Sequence, residues 1–97
     1  SWLMEEVTAI KRLVLNKLVR SNMRGGKHTP LDFVLKGIPE HIRTRPAGQR
    51  SIDKAFKEMQ NDGWIVILKK RTGSSYEDHI SLNQEKVAEI QQFLAEK

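Results

Sequence analysis

The 97 residues suffice for one domain and are too few for two independently stable cores; with 38% apolar and 30% charged residues in periodic runs, the chain is expected to fold. The lack of cysteine excludes a disulfide framework, a thiolate nucleophile and a cysteine zinc site. A formal net charge of +5 and a pI near 9.8 point to a polyanionic partner, nucleic acid first and an acidic membrane surface or protein second.

The charge is localised. Residues 1–60 hold twelve Lys or Arg against six acids, whereas residues 61–97 hold five against six. The longest apolar run, Trp64 to Leu68, falls far short of the roughly 20 residues that span a bilayer, and the N-terminus lacks the charged-then-apolar order of a signal peptide. A soluble protein is therefore expected, cytoplasmic and nucleoid-associated if prokaryotic, nuclear if eukaryotic. The chain opens on Ser1, which leaves open a processed chain, a tag remnant or a piece of something longer.

Leu3, Val7, Ile10, Val14 and Leu18 recur at helical spacing, with Glu5, Glu6, Arg12, Asn16 and Arg20 opposite, so the first element is a long amphipathic helix from Leu3 to Val19. Met4, Leu15 and Val19 widen its apolar stripe, and Leu13 and Trp2 lie on the otherwise polar side. This excess has two readings: a homodimer through the first and last helices, or packing against the last helix within one chain.

Gly25 and Gly26 end the helix, and Thr29-Pro30-Leu31-Asp32 restarts one with Thr29 as cap. This second helix should run from Pro30 to Lys36 and bury Leu31, Val34 and Leu35. Gly37 and Pro39 then impose an irregular connection or a short extra turn through Ile42. A third helix begins near Pro46 and runs to Asn61, with Ile52, Ala55, Phe56 and Met59 on one side and Gly63 as its stop; Gly48 blurs its start. Trp64 to Lys70 and Tyr76 to Leu82 read as a two-stranded hairpin, with Arg71-Thr72-Gly73-Ser74-Ser75 as its basic tip. Asn83 caps a final helix carrying Val87, Ile90 and Leu94, flanked by Phe93. The fold class is α+β, mainly helical.

This order resembles the winged helix-turn-helix superfamily, and Ser51 to Ile65 carries the most specific part: spaced apolar residues, a glycine, then an aromatic and an aliphatic that start the wing. The resemblance covers roughly residues 5 to 82. It implies a three-helix core, a β-hairpin wing, a recognition helix in the major groove of DNA and a wing, residues 69–76, on phosphate or in the minor groove. Two departures stand: the connection from Gly37 to Gly48 is longer than a tight turn, and no short first strand is legible between the helices.

Independently of that resemblance, a rotation of about 100° per residue puts Arg50, Lys54, Lys57 and Asn61 in one stripe of the third helix, opposite Ile52, Phe56 and Met59. Arg can pair with guanine edges, Asn with adenine, and Lys with phosphate or guanine. Arg43, Arg45 and Gln49 precede or open that helix, Lys69, Lys70 and Arg71 occupy the wing, and Thr72, Ser74 and Ser75 add hydroxyl donors. An ordinary solvated charged face is the competing reading. Glu85, Glu89 and Glu96 against Lys86 and Lys97 turn the last helix away from nucleic acid.

No catalytic constellation, cofactor or metal site is expected. Ser51 and Asp53 lack a triad histidine, Gly25-Gly26-Lys27 lacks the spacing of a phosphate loop, and His28, His41 and His79 lack metal-ligand spacing. Glu77, Asp78 and His79 read as solvated wing residues, and Trp64 and Tyr76 as packing at the root of the wing. The expected function is double-stranded DNA binding in a transcriptional regulator or a larger replication or transcription protein. A protein-docking module is the alternative from another class, and an RNA-binding variant comes third.

Overall fold

The computed structural model describes residues 1–96, and Lys97, assigned above to the last helix, lies outside the described residues. The elements are α1 (Trp2–Arg20), β1 (Thr29–Pro30), α2 (Leu31–Leu35), α3 (Glu40–Arg43), α4 (Pro46–Asn61), β2 (Ile65–Thr72), β3 (Ser75–Leu82) and α5 (Val87–Ala95), with a 3-10 turn at Gln84–Lys86 before α5. The class is α+β and mainly helical, as expected.

Helix α1 buries Val7, Ile10, Val14, Leu15 and Leu18, and the Ser1 hydroxyl accepts the Met4 amide at its start. Its main partner is α4, which presents Ile52, Ala55, Phe56 and Met59 to the same core. Two polar clamps fix the crossing. Glu6 accepts the Ser51 hydroxyl at 2.6 Å and the Arg45 guanidinium at 2.9 Å, and Lys11 reaches Glu58 at 2.6 Å.

Thr29 is not a helix cap. It is buried in β1, which pairs antiparallel with β3 (Thr29 opposite Ile80, Pro30 opposite His79), so α2 starts only at Leu31 and ends at Leu35. Proline suits the last position of this short edge strand because it has no amide to donate. The expected two-stranded hairpin is therefore part of a three-stranded sheet ordered β1-β3-β2. Two residues are too few to show an alternating pattern, which is why β1 was not legible.

The expected extra turn after Gly37 is the four-residue helix α3, and Gly48 packs directly beneath it: a Cβ on Gly48 would lie 1.7 Å from the Ile42 carbonyl oxygen. At its other end α4 stops as expected. Gly63 takes φ 74°, its amide bonds the Gln60 carbonyl at 3.0 Å, and the Trp64 amide bonds the Met59 carbonyl at 2.9 Å, the paired bonds of a Schellman stop.

Strands β2 and β3 pair from Ile65 opposite Leu82 to Thr72 opposite Ser75, leaving Gly73 and Ser74 as a two-residue turn with Gly73 at φ 63°. Side chains alternate between faces. Ile65, Ile67, Ile80 and Leu82 therefore share the core face, and Lys69, Asp78, Arg71 and Tyr76 extend that face beyond the core. Val66, Leu68, Lys70, Glu77, His79 and Ser81 lie on the other face, partly covered by the loop after α1, whose Lys27 carbonyl accepts the Ser81 hydroxyl at 2.7 Å. Asn83 caps the 3-10 turn rather than α5, accepting the Glu85 amide at 3.1 Å. Helix α5 buries Ile90 and sets Phe93 against Trp64, with ring centroids 5.2 Å apart.

Candidate nucleic-acid interface

Burial of Ser51, Ile52, Ala55, Phe56 and Met59 fixes the phase of α4 and leaves Arg50, Lys54, Lys57 and Asn61 exposed on the opposite side. The four differ in availability. Arg50, Lys57 and Asn61 make no ion pair or side-chain hydrogen bond among the described residues. Lys54 pairs with Glu58 at 3.1 Å, one turn on, and Glu58 also receives Lys11. Hydrogen bonds from Lys11 first and Lys54 second hold the Glu58 carboxyl below its ordinary range.

The residues before the stripe build the corner between α3 and α4. Arg43 donates from Nε to the Ile38 carbonyl at 2.7 Å, Gln49 donates to the Arg43 carbonyl at 2.7 Å, and Arg45 joins the His41 carbonyl at 2.7 Å to Glu6. Their first partners are intramolecular. Arg43 and Gln49 also line, with Leu31, Leu35, Ile52, Asp53, Phe56 and Ile67, a cleft of about 280 Å³ between α2, α4 and β2.

The three hairpin cations do not act as one group. Lys69 pairs with Asp78 at 3.1 Å, and Lys70 stands on the opposite face across from Glu77. Arg71 donates to the Gly73 carbonyl at 3.1 Å, and its guanidinium lies 5.8 Å from the centre of the Tyr76 ring. Thr72, Ser74 and Ser75 are exposed around the turn.

Several expectations are corrected here. Tyr76 is not packed at the root of the hairpin: it is 62% exposed, because its strand position falls beyond the last core residues. Trp64 is buried as expected, and its indole donates to Glu89, which is thus a packing partner rather than a free surface acid. His79 is buried rather than solvated. Its Nε2 lies 2.8 Å from Glu77, two residues away on the same strand face, and its Nδ1 lies 2.7 Å from Nδ1 of His28 at the foot of β1. No group of three His, Cys, Asp or Glu side chains poised to hold a metal occurs among the described residues.

Trp2 at 59% and Leu13 at 41% are exposed, so packing against α5 within the chain does not account for them. Arg12 occupies that junction instead, donating to the Phe93 and Leu94 carbonyls at the end of α5. No described helix is long and apolar enough to cross a membrane. Comparison with family models, curated proteins and solved structures returns no match for the chain.

Proposed function

We propose that this chain is a winged helix-turn-helix domain that binds double-stranded DNA, as a transcriptional regulator or as the DNA-reading part of a larger replication or transcription protein. The element order and the sheet order β1-β3-β2 support that assignment, with α2 to α4 as an expanded helix-turn-helix and β2–β3 as the wing. The observation that carries the function is the outward row of Arg50, Lys57 and Asn61 on the one 16-residue helix whose other side is core. A helix of about 10–12 Å diameter fits a major groove about 12 Å wide. Arg50, one turn into α4, reaches a base edge; Lys57 and Arg71 meet phosphate.

The second reading is a protein-docking module, and a specific observation favours it. Arg45, Lys54 and Lys69 are held by Glu6, Glu58 and Asp78, which lowers the positive charge left for phosphates. Titrating labelled duplex, single-stranded DNA and RNA at several salt concentrations separates the two. The DNA reading predicts duplex affinity that falls linearly in log-log form with salt; docking predicts weak binding to all three.

A further inference from the structure

Tyr76 is a large aromatic left in solvent at a strand position beyond the last core residues. It stands directly across from Arg71, on the hairpin face continuous with Ile67 and Ile80, and one residue after β3 starts at the turn. Strand aromatics are normally stabilised by packing on a half-buried surface; this ring is mostly in solvent, with the guanidinium of Arg71, itself fastened to the Gly73 carbonyl, beside it. The pair makes an exposed patch across two strands.

Two features decide what such a patch receives. The cleft next to Tyr76 is lined by Asp32, Thr72, Ser75, Glu77 and Asp78. The carboxylates of Asp32 and Asp78 there repel phosphate but accept hydrogen bonds from amino groups on base edges, while Glu77 turns to the opposite face against His79. Width is the second feature. The two-residue turn could enter a minor groove about 6 Å wide, but strands about 4.8 Å apart with side chains standing on their face make the Arg71–Tyr76 patch broader than that groove. Adjacent aromatic and guanidinium planes are surfaces on which unstacked bases lie.

We propose that the Tyr76 ring is a stacking platform for an unpaired base, with the Arg71 guanidinium beside it left to the adjoining phosphate, so that the domain prefers DNA duplex carrying a single-stranded overhang to closed duplex. The proposal rests on the DNA-binding reading and adds a substrate class to it. Anisotropy titrations of the full chain test it with two labelled probes: a duplex closed at both ends by non-nucleotide linkers, and the same duplex with a short deoxycytidine overhang. The overhang probe should bind about tenfold more tightly. Tyr76→Ala should bring the ratio of the two affinities to about one, and Tyr76→Phe should keep it, since the ring and not the hydroxyl stacks. Equal affinities in the parent, or a preference that survives Tyr76→Ala, would overturn the platform while leaving duplex binding intact. Failure to bind either probe would overturn the DNA reading itself.

Discussion

The backbone of Ile42 in α3 passes so close to Gly48 in α4 that no side chain fits between them, with 1.7 Å between a hypothetical Gly48 Cβ and the Ile42 carbonyl oxygen. The corner that sets the direction of α4, and with it the outward row from Arg50, therefore depends on a hydrogen atom at position 48.

Gly48→Ala should destabilise the domain by about 3 kcal/mol or more, the upper end of overpacking costs, because the obstacle is backbone rather than a side chain that can rotate away. A chemical denaturation curve measures it. A loss below about 1 kcal/mol would mean that α3 and α4 do not pack this closely.

Phe56→Ala tests the phase of α4 from its buried side. The ring is almost fully enclosed but borders the apolar cleft, so the loss should fall near 3 kcal/mol, the low end for removing a core phenylalanine. A melting temperature within a degree or two of the parent would place the ring in solvent and rotate the proposed DNA-facing row out of position.

Much of this was legible because it is periodic. The core stripes of α1 and α4, the Gly63 stop and the hairpin with its turn at Gly73 all follow from apolar spacing and turn chemistry. What escaped depends on contacts between distant residues. Strand β1 exists because β3 offers Thr29 and Pro30 a partner, and Gly48, which in sequence only weakens the helix start, is required by the close approach of α3. The side chains of the candidate interface were the least legible. Spacing put Lys54 in a row with Arg50 and Lys57, and its pair with Glu58 is local to α4 at i,i+4, but only the crossing of α1 over α4 brings Lys11 to the same carboxylate. Tyr76 carried a readable signal: it faces Arg71 four pairs beyond the last inward apolar pair, Ile67 and Ile80, where no core remains to cover it.

Glu58 links stability to pH. Its folded carboxyl is held below the ordinary 4.5 by Lys11 and then Lys54, so its contribution is present above the unfolded value and is lost as pH falls through the lower folded value. Thermal melts from neutral pH downward should lose stability in that acidic window, and Glu58→Gln should flatten that part of the profile. The same variant frees Lys54, so its duplex affinity should rise rather than fall. An unchanged acid profile, or weaker DNA binding with an intact fold, would contradict the role assigned to Glu58.

The outer side of α1 exposes Trp2, Ala9 and Leu13, with Glu5 towards one end and Arg12 and Arg20 towards the other. An antiparallel pairing of two copies would cover the apolar residues, which predicts a symmetric dimer that matches a palindromic site. Sedimentation equilibrium should detect it, and Leu13→Glu should abolish it. A monomer at high protein concentration would remove the dimer.

The most direct measurement is the salt dependence of duplex affinity for the parent and for Lys57→Gln, Arg71→Gln and Lys86→Gln. Lys57 and Arg71 are placed on phosphate, so each loss should weaken binding to every duplex alike and flatten the slope of log affinity against log salt by about 0.9. Lys86, in the turn before α5, should leave the slope nearly unaltered. Arg50→Ala completes the set, costing about 1 to 3 kcal/mol on a preferred site and less on random duplex. If Lys86→Gln flattens the slope as much as Lys57→Gln does, the row on α4 is ordinary solvated surface, and protein docking replaces DNA binding.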